Sequence, residues 1–136
     1  MIEYTTNLDT LTKEMLLGGF FVGWPNPPSA SSHVRILKGS YIAWLAIDTT
    51  SNNVVGFVNA ISDGILSAYI PLLEVLPEYQ NKGIGKELVT RMLESLKNLY
   101  MVDLLCDKEL QGYYAKLGMV NATGSLLRNH HRQSCK

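Results

Sequence analysis

The residues best suited to chemistry lie in one stretch, Leu72–Lys86, reading LLEVLPEYQNKGIGK. An apolar run of strand character leads into a turn holding Gly83 and Gly85, and a helical pattern starts directly after it. The first four amides of a helix have no partner inside the helix, and the macrodipole places partial positive charge at that end. Glycine lets a ligand approach such a backbone closely. The chemistry this combination favours is phosphate binding. The same two glycines would also serve a plain strand-to-helix turn, so the spacing leaves both readings open. Neither common nucleotide loop is present: GxxxxGK(S/T) does not occur, and GxGxxG is broken because Leu88 stands where the third glycine belongs.

Several function classes are excluded by composition. Twelve basic and twelve acidic residues cancel, which leaves no electrostatic footprint for nucleic acid or an anionic membrane. The longest apolar runs, such as Met15–Trp24 and Tyr41–Ile47, fall far short of the ~20 residues a membrane span needs. Two cysteines, Cys106 and Cys135, make no disulfide framework and fit a reducing cytoplasm. No secretory leader pattern opens the chain. No zinc spacing exists, and His130-His131 reads as a solvated tail, so no metal is expected. With 136 residues and 46% hydrophobic content, the chain suits one domain with one core.

The elements that must position the loop follow from periodicity. Ile2–Thr5 is a short strand, and Leu8, Leu11, Met15 and Leu16 recur at helical spacing until Gly18-Gly19 stops them. Phe20–Pro28 (FFVGWPNPP) is a proline-rich loop carrying aromatics. Ser29 is the expected N-cap of a helix ending near Gly39. Tyr41–Asp48, Val54–Ser62 and Leu66–Leu76 then form an antiparallel meander, with Asp63-Gly64 as a tight hairpin signal. Pro71 removes a ladder donor, so a bulge or a parting of strands is expected there. From Gly83 a stripe of Ile84, Leu88, Met92 and Leu96 marks an amphipathic helix. Tyr100–Cys106 reads as a strand, Asp107 as the N-cap of a helix over Lys108–Leu117, and Ser125–Arg128 as a last strand.

Gln80-Asn81-Lys82-Gly83-Ile84-Gly85 resembles the Q/R-x-x-G-x-G/A signature of the GNAT superfamily of N-acetyltransferases. Glu74–Tyr79 looks like the strand and turn that precede that signature, and Tyr113–Met119 (YYAKLGM) like the F-Y-x-K-x-G-F segment found about thirty residues later. The resemblance covers Val54 to Met119 well, and residues 1–50 only in element order. It implies an α/β GNAT fold: a mixed, mostly antiparallel sheet of six to seven strands with about four helices, strands 4 and 5 splayed. One N-acetyltransferase domain over 1–136 is expected, with 1–40 as variable acceptor-side helices and loop and 41–136 as the sheet and acetyl-CoA-binding core. Amides of Gln80, Asn81, Lys82, Gly83, Ile84, Gly85 and Lys86 would cradle the pyrophosphate of acetyl-CoA. Pantetheine would pair with freed backbone near Leu73 and Val75, as an added strand does.

Acetyl transfer would need a group to take the amine's proton and one to donate to the leaving thiolate. Glu74, on the cofactor strand between Leu73 and Val75, is the base candidate, since partial burial could raise its pKa. Tyr114 aligns with the tyrosine that serves as acid in relatives, while Tyr113 is expected to pack. Asp107 stands where asparagine is frequent; it can cap a helix but cannot donate to a pantetheine carbonyl. Phe20, Phe21, Trp24 and His33 fall where the family builds its acceptor pocket, although a core or lid role suits the aromatics equally and a surface role suits His33. The expected acceptor is a primary amine of a small molecule, attacked directly in a ternary complex, with a homodimer left open. The alternative is a non-catalytic acyl-CoA-binding or sensing module.

Overall fold

The computed structural model describes residues Met1–Lys136. Five strands form one sheet in the order β1-β2-β3-β4-β5: β1 is Ile2–Thr5, β2 Ile42–Asp48, β3 Asn53–Ser62, β4 Ser67–Val75 and β5 Met101–Asp103. The first four pair antiparallel and β4 pairs β5 in parallel. Helices α1 (Ala30–Lys38), α2 (Ile84–Ser95) and α3 (Gln111–Ala115) complete the fold with several short 3-10 turns. The strand β3, rich in valine, is buried on both faces, as a central strand covered on two sides must be. On one face α2 lays its stripe of Ile84, Leu88, Val89 and Met92 across β2, β3 and β4. A β-carbon at Gly56 of β3 would meet Leu88 Cδ1 at 3.1 Å, so glycine there lets α2 sit close. On the other face lie α1 and the turn Lys13–Leu16.

Local signals account for most boundaries. The Ser29 hydroxyl accepts the Ser32 N–H at 3.1 Å and starts α1, and Gly39 ends it. The β3–β4 turn is closed by Asp63, whose Oδ1 accepts the N–H groups of Ile65, Leu66 and Ser67. The same three bonds hold the Asp63 carboxyl below its usual pKa.

The irregularity expected at Pro71 is present. Asn59 faces Leu72 and Ile61 faces Tyr69, so Ala60 stands opposite both Ile70 and Pro71. That is a one-residue bulge in β4. Pairing of β4 with β5 covers only Ser67–Tyr69 against Met101–Asp103 and stops at the same point. The two strands therefore splay, as the family resemblance implies.

Five expectations need correction. The sheet has five strands and three α-helices, not six or seven and four. Ser125–Arg128 is not a strand, because β5 is too short to offer it a ladder. The helix expected over Leu8–Leu16 shrinks to the 3-10 turn Lys13–Leu16, which still buries Met15 and Leu16. Tyr100–Cys106 is strand only over Met101–Asp103, since β4 has already turned away beyond it. The sheet also begins before residue 41, because β1 pairs with β2.

Candidate active site

The splay opens a cleft of about 720 Å³. One wall is β4 from Ile70 to Glu74, and the opposite wall is Leu104–Asp107 with Tyr114. The 20s loop closes one end through Phe21, Val22 and Trp24. Antiparallel geometry decides which backbone groups face this space. The Leu76 N–H donates to Val55 O at 2.8 Å, so the Val55/Leu76 pair is hydrogen-bonded. Such pairs alternate along a ladder. The register Phe57↔Glu74 and Val58↔Leu73 therefore turns Glu74 backbone groups toward β3 and those of Leu73 and Val75 toward the free edge. The Val75 carbonyl on that edge accepts the side-chain amide of Gln80 at 3.0 Å. The N–H groups of Leu73 and Val75 stand on an edge with no partner strand.

Beside that edge, α2 begins without a side-chain cap. Its first intrahelical bond runs from the Glu87 N–H to Gly83 O, which leaves the amides of Ile84, Gly85 and Lys86 without protein acceptors. Asn81 (φ 62°) and Gly83 (φ 83°) are left-handed, and the alternation curls the loop into a concave array of N–H donors. Only glycine takes that conformation at little cost, which explains Gly83. Gly85 has a different reason. A β-carbon there would lie 3.6 Å from Val75 Cγ2 and 3.7 Å from the Tyr113 hydroxyl, so the residue sits in a narrow passage between β4 and α3. Lys82 lies over the Tyr79 ring at 5.5 Å, and neither Lys82 nor Lys86 has a carboxylate partner.

Glu74 has a structural engagement the sequence did not show. Its Oε1 accepts the Phe21 N–H at 2.8 Å and its Oε2 the Val22 N–H at 3.2 Å. The bonds span more than fifty residues and hold the aromatic loop at Phe21, whose backbone is left-handed (φ 64°). That conformation is costly for a bulky side chain, so the carboxylate helps to impose it.

Tyr114 lines the cleft with its ring buried, at 8% exposure, and its hydroxyl has no protein partner. Burial pushes its pKa up to about 12, with smaller contributions from Tyr113 and Cys106. Asp107 borders the cleft, but its side chain does not cap the turn that follows, contrary to expectation. Tyr113 stacks edge-on against Tyr114 at 5.1 Å, as packing predicts, yet its hydroxyl also stands at the start of α2.

Of the acceptor-side residues, Phe21 and Trp24 line the cleft and His33 does not. His33 is 1% exposed, wedged among Phe20, Phe21 and Phe57 with centroids at 5.4, 4.8 and 4.5 Å. Neither a surface role nor substrate contact survives that placement. Its Nε2 has no partner, and burial lowers its pKa to about 4. Leu126 and Arg128 also line the cleft, and sequence reasoning passed over both as sites. No local signal marks them, because the tail forms neither helix nor strand there.

A splayed strand edge thus lies beside an uncapped helix start. A family model described as the acetyltransferase (GNAT) family matches residues 11–119. The chain belongs to that family. A candidate acetyltransferase from Deinococcus radiodurans R1 superposes with a TM-score of 0.93 at 44% identity, covering 98% of this chain and 92% of that one. A GNAT family acetyltransferase from Streptococcus pneumoniae TIGR4 gives a TM-score of 0.73 at 28% identity, over 95% of this chain and 97% of its own. The chloroplastic GCN5-related N-acetyltransferase 1 of Arabidopsis thaliana is 29% identical over 102 residues, 74% of this chain and 51% of its own length. The chain thus spans about half the length of that curated relative. No helix of the protein is long and apolar enough to cross a membrane.

Proposed function

We propose that this protein moves an acetyl group from acetyl-CoA to the primary amine of a small molecule, by direct attack with both substrates bound together. The observation that carries the reading is the unpartnered edge of Leu73 and Val75 beside the uncapped, glycine-lined start of α2. The residues fit acetyl-CoA. Free amides at Ile84–Lys86, the left-handed turn at Asn81 and Gly83, and the unpaired Lys82 and Lys86 would hold the pyrophosphate, with Gln80 bracing the loop against β4. Leu73 and Val75 would pair with pantetheine amides, and the Asp107 carboxylate would accept from one. Bound acetyl-CoA supplies the acetyl group as an activated thioester.

The remaining work falls to side chains of the cleft. A primary amine is mostly protonated near pH 7 and must lose a proton before it attacks. Glu74 would take that proton, because each of its oxygens accepts one backbone N–H and keeps a lone pair free. The Val75 N–H would donate to the carbonyl oxygen as negative charge builds there. As the new C–N bond forms and the C–S bond breaks, the Tyr114 hydroxyl would donate to the departing sulfur. Its raised pKa keeps the phenol protonated throughout the neutral range. A reducing compartment such as the cytoplasm suits the two free cysteines.

Thiol release from acetyl-CoA across a panel of small amines tests the proposal, alongside thermal melts with acetyl-CoA and CoA. A melt shift with turnover supports it. A shift without turnover on any amine points instead to an acyl-CoA-binding module, and no shift at all refutes cofactor binding.

A further inference from the structure

We infer that Arg128 determines acceptor specificity, taking the oxyanion of an amine that also carries a carboxylate or a phosphate. The inference rests on the acetyl-transfer reading above and names a substrate class for the same cleft. Residues 119–129, after α3, form neither helix nor strand and reach the cleft. Leu126 and Arg128 line the cavity at its open side and remain exposed, as does Leu127 between them. Five residues beyond Arg128, Gln133 Oε1 accepts the Asn26 N–H at 2.8 Å. That bond ties the tail to the loop carrying Phe21 and Trp24, which line the same cavity as Arg128.

Arg128 is the one cation lining this cavity, which it shares with the carboxylates of Glu74 and Asp107. It pairs with neither. The two ion pairs of the protein, Glu87–Arg91 and Glu94–Lys97, lie on and just after α2. The only hydrogen bond Arg128 makes is a long one, 3.4 Å, to the neighbouring Leu127 carbonyl. Glu74 is already engaged by the Phe21 and Val22 amides. A guanidinium is always charged, and its planar fork matches carboxylate and phosphate oxygens two at a time. The phosphates of the cofactor have their own donors at the start of α2, and Lys82 and Lys86 do not line this cavity. The free fork is therefore available to a different anion. With Glu74 receiving the ammonium and Arg128 the oxyanion, an acceptor of mixed charge is oriented with its nitrogen toward β4.

The test uses matched pairs of amines: amino acids and amino-alkyl or amino-sugar phosphates, each beside the same amine without the anionic group. Thiol release is followed for the wild type, Arg128→Gln and Arg128→Lys, with the acetyl-CoA Kd measured in parallel. The wild type should favour anion-bearing amines by about tenfold or more in kcat/KM, the scale of a charge-assisted hydrogen bond. Arg128→Gln should erase that preference through KM, leaving neutral amines and the acetyl-CoA Kd unchanged. Arg128→Lys should fall between. The carboxylate and phosphate arms show which oxyanion is preferred. Equal turnover of paired amines, or a preference unchanged in Arg128→Gln, overturns the inference while leaving acetyl transfer standing. A rise in the acetyl-CoA Kd instead assigns Arg128 to the cofactor and also overturns it. If no amine is acetylated, the transfer reading fails and the inference falls with it.

Discussion

Replacing Tyr114 by phenylalanine separates chemistry from packing. The ring is buried, but the hydroxyl bonds to no protein group, so the change deletes a potential proton donor and little else. Folding stability should stay within about 0.5 kcal/mol, since no protein hydrogen bond is broken. The effect on rate can be bounded. A full general acid contributes roughly 10²–10⁴-fold. Here burial has raised the phenol from 10.0 to about 12, which at face value sets about 2.7 kcal/mol against ionisation, less once solvent at the cleft mouth screens it. Complete transfer to sulfur therefore lies uphill. Tyr114 should act chiefly by donating a hydrogen bond as charge builds, a contact to a charged group worth roughly 1.5–3 kcal/mol. That corresponds to a loss in kcat of about 10- to 150-fold at unchanged acetyl-CoA Kd. With a pKa near 12 the residue should add no alkaline limb to the rate profile between pH 6 and 9, so wild type and variant should run parallel there. The assays are steady-state thiol release, acetyl-CoA titration and a urea melt. Retention of near-full kcat together with lost stability would show that Tyr114 only packs.

Three further outcomes follow from the same geometry. Gly85→Val puts γ-methyls into a passage where a β-carbon alone already reaches contact distance, and should abolish the roughly 2.7 kcal/mol stabilisation given by acetyl-CoA at 100 times its Kd; an undiminished shift would remove the loop from the binding site. Glu74→Gln should lower kcat, most at low pH where the acceptor is protonated, and should loosen the Phe21–Val22 loop at a cost of about 1 kcal/mol, since a side-chain amide cannot accept both backbone N–H groups with both of its atoms. Unchanged activity from pH 6 to 9 would mean that another group takes the proton. His33 is neutral when folded and titrates near 4, against about 6.5 unfolded, so the unfolded state binds more protons between those values. The stability it confers should be full above about pH 6.5 and fall by about 3 kcal/mol as pH drops toward 4. Urea melts of His33→Leu should lack that component, and parallel losses in both proteins would refute the assignment.

What the sequence discloses is local chemistry, and what it hides is tertiary. Gly83 was legible because a glycine opening a helix lets a ligand approach its unpaired amides, and Ser29 and Gly39 bound α1 because caps act within one turn. Pro71 was legible because a residue without an N–H must sit where the ladder breaks. The turn at Lys13–Leu16 was misread because i, i+3 spacing serves a 3-10 turn as well as an α-helix, and so short a segment has little helical stability of its own. His33 shares a helix face with Leu37, a hint of burial that a polar residue type outweighed. The bonds from Glu74 to Phe21 and Val22 could not be read at all. Nothing local marks a contact across more than fifty residues, and a proline-rich loop gives no period from which to place it.

The bulge at Ile70–Pro71 links these features, because side-chain direction and amide direction along a strand both have period two. Val75 points to the α2 face, with Cγ2 close to Gly85, and Leu76 points to the opposite face against Gly18. Glu74 shares the Leu76 face, which is why its carboxylate meets the 20s loop rather than α2. Without the extra residue, with the Ser67–Tyr69 end of β4 held in register, every later position would exchange faces. The acidic group would then lie under α2, and the amides now on the open edge would turn toward β3. The proline contributes separately by lacking the N–H that would continue pairing toward β5. One inserted residue thus opens the cleft, aims the Leu73 and Val75 amides into it and brings Glu74 to the loop. The placement of the candidate proton acceptor and the backbone edge that would take the cofactor are consequences of the same irregularity, so neither can shift register without the other.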